Sequence, residues 1–516
     1  MAMSTTSTST AAAAPAQLDA HRPGVPAVST AEARFERGRR TIGLFAGPVA
    51  FVLIWWWPMA GLSIEAHRLA AVVALVVIWW VTEAIPIAAS ALVGAALTVL
   101  CGIATANQAF APFASPTIFL FMGSFMIGQA IVDHQLDTRL ALGLLKLPFV
   151  AGDVARMYIA LGGLTLLVSG WMSNTATTAM MVPIVLGVLG ASARSPTRPD
   201  AQFRGGFLLT VAYAASIGGL MTPVGSPPNL ITLGLLDTVA DVRISFFEWI
   251  ILAAPISLVY GALLLLLGRS FYKAPERSSL QTATTPRQSA APWTAGQRNC
   301  AIAFGVAVTL WVLPGIFAVA GVSNPAGVLG RLDEGVVAIL AAMLLFVLPV
   351  DWKQRQFTLR WSTASRIDWG TILLFGGGLS LGQLMFSTGL AAHLGETAVR
   401  ASGAESLWAV TAVAALVGIV LSEFTSNTAA TSMLVPVVLS ITTAAGLNPV
   451  PPSMGACLGA SLSFMFPIST PPNAIVYGTG LVPITTMMRC GIVMDAIGFA
   501  LIMVGLRLLC PLLGYA

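Results

Sequence analysis

Two segments of the chain carry the same polar motif at matching positions. Eight of eleven residues are identical between 173–183 and 426–436, and both segments open with Ser-Asn-Thr. A serine lies four residues before each motif, at Ser169 and Ser422. Unpaired hydroxyl and amide groups cost several kcal/mol each in an apolar interior, so these groups need partners. A cation and a polar solute would supply them.

A second element follows each motif and interrupts an apolar stretch. It reads Ser-Pro-Pro-Asn at 226–229 and Thr-Pro-Pro-Asn at 470–473. Tandem prolines break helices, and Gly225 lets the backbone approach a ligand closely. We therefore predict two half-helices around an unwound loop in each stretch. Half-helix starts suit an oxyanion, whereas unwound carbonyls and hydroxyls suit sodium.

Composition places the chain in a membrane. Hydrophobic residues make up 56% of the 516 residues and charged residues only 9%, where a soluble domain has about 25% charged residues. The net charge of +5 comes mainly from arginines in a few loops, which argues against nucleic-acid binding. The five cysteines and four histidines show no metal-ligand or catalytic spacing.

The apolar stretches predict an all-α polytopic membrane protein with about 11 transmembrane helices plus two re-entrant hairpins. The hairpins are predicted at 154–190 and 404–444, and broken helices at 206–236 and 453–482. Other spans are predicted at 41–62, 68–84, 86–104, 115–134, 247–268, 299–320, 335–350, 370–392 and 490–514.

Charges at the hairpin flanks predict an inverted repeat. Arginines and a lysine border the first hairpin on both sides, at Arg139, Lys146, Arg156, Arg194, Arg198 and Arg204. The second hairpin has only Arg400 before it, and no charge between Leu439 and Ser453. Cytoplasmic loops are enriched in Lys and Arg, so the hairpins should enter from opposite faces. The odd number of spans between them requires the same inversion.

Four domain segments follow from this pattern. Residues 1–40 form a disordered cytoplasmic tail, 41–268 the first repeat, 269–298 a cytoplasmic linker and 299–516 the second repeat. We expect a multi-pass protein of the inner (plasma) membrane with the N-terminus in the cytoplasm and the C-terminus outside.

Other functional classes fit the residues less well. An intramembrane enzyme would need a nucleophile–base pair or a metal cluster, and no histidine accompanies these serines. A channel would not need discontinuous spans that close a site at the membrane midplane. Glu83 and Glu423 are candidates for proton carriers or for structural bonds to nearby backbone. A lone Ser-Asn-Thr is usually a packing feature, but two matched copies favour a site.

The paired motifs and the Trp-x-Thr-Glu-Ala-Ile-Pro segment resemble the divalent anion/sodium symporters over residues 41–514. Members carry dicarboxylates such as succinate, malate and fumarate, or citrate or sulfate, and some are sodium-independent exchangers. The resemblance implies a homodimer with a scaffold domain and a transport domain that moves by an elevator-type mechanism. Sodium would be co-transported, with no organic cofactor.

The resemblance also assigns roles to residues. One sodium would be bound by Ser169, Ser173, Asn174 and Gly225, and a second by Ser422, Thr425, Asn427 and Ser469. The substrate would contact Ser173, Asn174, Thr175, Ser226, Ser426, Asn427, Thr428, Thr470 and Pro471. The two Ser-Asn-Thr motifs and the two Pro-Pro-Asn elements contain no Lys or Arg. An anion bound without a fixed cation needs helix ends and co-bound cations to neutralise it, which favours coupling to sodium.

The inverted repeat leads to a labelling prediction. In an otherwise cysteine-free protein on intact cells, an impermeant thiol reagent should label Asn448→Cys and spare Arg194→Cys, because the two hairpin flanks face opposite sides. Labelling of both variants from outside would show that the repeats are parallel.

Overall fold

The computed structural model describes residues 30–59, 61–151, 153–190, 198–271, 292–319, 333–402 and 406–515. Most of the described chain is helical, in agreement with the predicted fold class. The first half contains these helices: α1 Thr30–Trp56, α2 Ile64–Thr82, α3 Ile87–Leu100, α4 Ala106–Phe110, α5 Pro116–Asp133, α6 Leu136–Leu145, α7 Val154–Ser169, α8 Asn174–Gly190, α9 Arg198–Gly218, α10 Pro227–Ala240 and α11 Phe246–Phe271.

The second half adds one short antiparallel pair of strands to a similar series of helices. Its elements are α12 Ala295–Val319, α13 Glu334–Val347, β1 Pro349–Asp351, β2 Gln356–Phe357, α14 Trp361–Ala364, α15 Trp369–Ser387, α16 Leu390–Ser402, α17 Leu407–Phe424, α18 Asn427–Ala445, α19 Val450–Ala460, α20 Pro471–Tyr477 and α21 Ile484–Leu509. Eight helices of the described residues are long and apolar enough to cross a membrane. Four shorter apolar helices are α3, α7, α8 and α13.

Two groups of helices pack side by side. In the first group, α7 and α8 pack on α9, α17 and α18 pack on α19, and α10 packs on both α18 and α19. In the second group, α3 packs on α2 and α15, and α13 packs on α5 and α12. The groups meet where α10 and α18 contact α15. All elements that carry the paired polar motifs lie in the first group.

The helix breaks occur where the prolines predict them. The α9 helix ends at Gly218 and α10 begins at Pro227, with a 3₁₀ turn Pro223–Gly225 between them. The α20 helix likewise begins at Pro471, and Thr470 caps it by accepting from the Asn473 amide. Proline is tolerated in the first helical turn, where its missing N–H would have no intrahelical partner.

A buried aromatic contact joins the two interrupted helices. The Tyr213 ring of α9 lies 4.7 Å from the Phe464 ring in the loop after α19, measured between ring centroids. The Tyr213 hydroxyl donates to the Phe464 carbonyl at 2.9 Å. Both side chains are fully buried. The two interrupted helices, one from each half of the sequence, therefore share one core.

The helices near Gly389 and Gln135 differ from the sequence prediction. The span predicted at 370–392 is two helices, α15 and α16, because Gly389 adopts a left-handed backbone with φ of +84°. That conformation ends a helix, and glycine adopts it without strain. The predicted span 115–134 agrees with α5, but the sequence analysis did not predict α6, which begins after Gln135, a second residue with a left-handed backbone.

The N-terminal boundary also differs. The α1 helix begins at Thr30, so the basic cluster that was assigned to the disordered tail lies on a helix. Residues 1–29 lie outside the described residues, as does most of the predicted 269–298 linker.

Close helix packing through glycine leads to a stability prediction. A Cβ on Gly459 would lie 2.3 Å from the Ala415 carbonyl oxygen, whereas a Cβ on Gly163 would meet nothing within 4 Å. Gly459→Ala should therefore lower the free energy of unfolding by about 1–3 kcal/mol, since it forces α17 and α19 apart. Gly163→Ala should leave stability equal or raise it by up to about 1 kcal/mol. Thermal unfolding in detergent measures both, and equal midpoints would contradict the packing.

Candidate functional site

The first Ser-Asn-Thr motif forms the tip of a helical hairpin. The α7 helix ends at Ser169 and α8 begins at Asn174. The Ser169 Oγ atom lies 2.8 Å from Asn174 Oδ1 and 2.7 Å from the Ala215 carbonyl oxygen of α9. One hydroxyl hydrogen can serve only one of these two acceptors. Three oxygen atoms from three elements therefore converge, an arrangement suited to a cation.

Glycines bring backbone carbonyls to the same place. A Cβ on Gly219 would lie 2.4 Å from Asn174 Oδ1. A Cβ on Gly225 would lie 2.7 Å from the Gly219 carbonyl oxygen and 2.9 Å from that of Gly170. Only glycine allows this approach, so the residue types here keep a space bordered by oxygen atoms. Carbonyl and amide oxygens are what a hard cation such as sodium requires.

The second hairpin repeats the arrangement. The Ser422 Oγ atom lies 2.7 Å from Asn427 Oδ1 and 2.5 Å from the Ala460 carbonyl oxygen. Ser463, which corresponds to Gly219 of the first copy, adds a hydroxyl 2.8 Å from Asn427 Oδ1. The second copy therefore has a hydroxyl where the first copy has a glycine.

The asparagines of the two Pro-Pro-Asn elements hold the unwound loops. The Asn229 side chain donates to the Gly219 and Thr222 carbonyls, both at 2.8 Å. Asn473 donates to the Ser463 carbonyl at 2.9 Å and to the Phe466 carbonyl at 3.0 Å. Both asparagines are fully buried. Their bonds satisfy carbonyls that the broken helices leave unpaired, so their role is to fix the loop conformation.

One cavity of about 630 Å³ lies between the hairpin tips and the two loops. All nine residues predicted to contact substrate line it: Ser173, Asn174, Thr175, Ser226, Ser426, Asn427, Thr428, Thr470 and Pro471. Of the predicted sodium ligands, Gly225 and Ser469 also line the cavity. This volume is in the range of small-molecule sites.

Three predicted sodium ligands lie behind the cavity wall. Ser169 and Ser422 are buried and contact the two asparagines. The Thr425 hydroxyl donates to the Leu421 carbonyl at 3.1 Å. The ion assignments of these three residues stay predictions.

Ion pairs hold Glu83 and hydrogen bonds hold Glu423, the two glutamates whose roles the sequence analysis left open. Glu83 ends α2 and forms ion pairs with Arg39 at 3.3 Å and Arg40 at 3.5 Å. The buried Glu423 carboxylate accepts from the Met465 amide at 3.0 Å and from the Ser469 hydroxyl at 2.9 Å. These contacts are of the structural kind that the sequence analysis weighed against proton carriage.

Sequence reasoning missed several residues around the site. Gln129 of α5 and Trp171 at the first hairpin tip line the cavity. Gln129 follows Gly128, the last residue of a Phe-x-Gly-x4-Gly spacing that starts at Phe121. The same spacing recurs in α15 from Phe375 to Gly382, so the repeat could have pointed to Gln129. Asp495 of α21 is buried beside the Glu423 carboxyl group, behind the residues that line the cavity. No three His, Cys, Asp or Glu side chains gather into a metal site in the described parts of the chain.

The fold and site define a polytopic membrane transporter, in which interrupted helices and hairpin tips enclose a polar cavity. Residues 39–514 match the family model described as the sodium:sulfate symporter transmembrane region. The chain belongs to this family, whose members are membrane transporters and not enzymes.

Several curated relatives are similar over most of their length. An uncharacterized transporter of Haemophilus influenzae is 32% identical over 84% of this chain and 89% of the relative. The sodium-dependent dicarboxylate transporter SdcS of Staphylococcus saprophyticus is 29% identical over 91% of both chains. The sodium-dependent high-affinity dicarboxylate transporter 3 of Caenorhabditis elegans is 30% identical over 89% of this chain and 84% of the relative.

A solved structure shares the fold. The YdaH transporter of Alcanivorax borkumensis superposes with a TM-score of 0.54, and the match covers 93% of this chain and 98% of the YdaH chain. Its sequence identity is 13%, so the likeness concerns the fold alone.

The asparagines at the hairpin tips lead to a prediction about the site. Asn174→Ala and Asn427→Ala should each abolish uptake, because each removes an amide proposed to contact both ion and substrate. The free energy of binding lost in each variant should be at least that of one unsatisfied buried polar group, roughly 1–3 kcal/mol. Uptake by purified, reconstituted variants measures this, with the exposed Asn107→Ala as the control. Near-normal uptake by either hairpin variant would reject the assignment.

Proposed function

We propose that the protein imports C4-dicarboxylates such as succinate, malate and fumarate, coupled to sodium. The observation that supports this proposal is a cavity that contains both Ser-Asn-Thr hairpin tips and the first residues of several helices. The first residues of α8, α10 and α18, which are Asn174, Pro227 and Asn427, line it. The relatives named for sodium-dependent dicarboxylate transport support the same substrate and ion.

Charge balance supports the coupling. A helix start carries roughly half a positive charge, so a few starts offset only part of a dicarboxylate's two negative charges. The hairpin tips and loops contain no Lys or Arg. The remaining charge would be costly inside the membrane. Two sodium ions at the oxygen clusters around Asn174 and Asn427 would balance this charge. Ion binding should therefore raise the affinity for substrate, and substrate binding should raise the affinity for sodium by the same factor.

We further propose that the two helix groups are the parts that move relative to each other. The site belongs to the first group, which would be the transport domain, and the second group would be the scaffold. Small residues of α15 face the first group. Gly378 lies against Ser432 of α18, and a Cβ on Gly382 would lie 2.8 Å from a Leu235 methyl carbon of α10. Such a smooth contact suits an elevator-type motion. A homodimer would hold the scaffold in place.

Sodium dependence tests the proposed function. Succinate uptake into proteoliposomes should rise steeply with external sodium, with a Hill coefficient above one, and potassium should not replace sodium. Unlabelled citrate and sulfate, added as competitors, test the other substrates of the family. Uptake that ignores sodium but is stimulated by internal dicarboxylate would reject symport and establish exchange.

A further inference from the structure

One positively charged side chain lies in the cavity wall, outside the motifs. Arg366 follows the short helix α14 and lines the cavity together with Thr371 and Leu374 of α15. Among the described residues that line this cavity, Arg366 is the one cation and Asp368 the one anion. The anion site therefore has a fixed positive charge nearby, although its binding elements contain none.

Within the described ranges, the neighbouring Asp368 forms no ion pair with Arg366 and bonds to α15 instead. Asp368 is the N-cap of α15 and accepts from the Thr371 amide at 3.1 Å and from the Thr371 hydroxyl at 2.5 Å. A carboxylate at a helix start is balanced by the positive end of the helix dipole. Asp368 is therefore bonded to the start of its own helix.

The Arg366 side chain is exposed, and its backbone is held in place. Its amide donates to the Thr363 carbonyl at 3.0 Å, and the next residue, Ile367, is buried. No ion pair or side-chain hydrogen bond of the Arg366 guanidinium occurs within the described ranges. Because its backbone is held in place and its guanidinium has no ion-pair partner in the described ranges, Arg366 can contact an anion that enters the cavity. Arg360, six residues earlier, is also exposed but does not line the cavity.

We propose that Arg366 attracts the anionic substrate into this cavity and favours doubly charged over singly charged carboxylates. The proposal rests on the proposed transport of dicarboxylates. The Coulomb energy between a cation and a dianion is twice that with a monoanion at the same distance. Charges at the mouth of a cleft raise the local concentration of oppositely charged ligands, and salt screens this effect beyond roughly 8 Å at physiological ionic strength.

Equilibrium binding to the purified full-length protein tests the proposal. Radiolabelled succinate and monomethyl succinate are bound at fixed sodium, at low ionic strength and again with added choline chloride. Arg366→Gln should weaken succinate binding by about five-fold at low ionic strength and monomethyl succinate binding by about two-fold. The difference from the unsubstituted protein should shrink as choline chloride is added.

Two variants serve as controls. Arg366→Lys keeps the charge and should bind succinate nearly as the unsubstituted protein does, and Arg360→Gln removes a nearby charge outside the cavity and should have little effect. The proposal is overturned if Arg366→Gln binds succinate normally at low ionic strength, or if it loses equal affinity for both ligands at every ionic strength. If the unsubstituted protein binds no succinate, the proposed function fails. The same comparison with citrate or sulfate, whichever binds, then decides the role of Arg366.

Discussion

The structure depends on satisfying polar backbone inside an apolar bundle. Two helices are interrupted at buried positions, and each break leaves carbonyl groups that lipid and apolar side chains cannot satisfy. Asn229 and Asn473 bond two of these carbonyls each, in the same geometry in both halves of the chain. The loops are thereby fixed before any ligand arrives. A site with preformed loops does not lose binding energy to ordering them.

The same constraint explains why the cavity presents oxygen atoms and helix ends rather than charged side chains at the hairpin tips. A lysine at the hairpin tips would need a permanent partner in the apolar interior, whereas hydroxyls, amides and helix starts can exchange partners with an ion and a solute. Ser169 and Ser422 each lie within bonding distance of two acceptors but have one hydrogen to donate, so one acceptor at each serine has no hydrogen from it. The fixed cation, Arg366, lies where the cavity is exposed and its charge can be hydrated.

Sequence reasoning found the residues that share the cavity because their signals are local. A Ser-Asn-Thr triplet or a Pro-Pro-Asn in an apolar run stands out, and its repetition shows that the two copies belong together. The place of Arg366 in the cavity wall could not be found this way, because it depends on tertiary packing. The helices α6 and α16 were missed for another reason. Their start depends on a left-handed residue, Gln135 or Gly389, within sequence that is otherwise helix-compatible.

The contact between Tyr213 and Phe464 has a consequence for how cargo is counted. It ties the first interrupted helix to the second in a fully buried core, so the two halves of the site form one mechanical part. If both oxygen clusters bind ions as proposed, neither ion can cross while the other stays behind. Each transport cycle would then carry both ions and the anion together, or none of them. The ratio of ions to anions would depend on the core packing as well as on the binding residues.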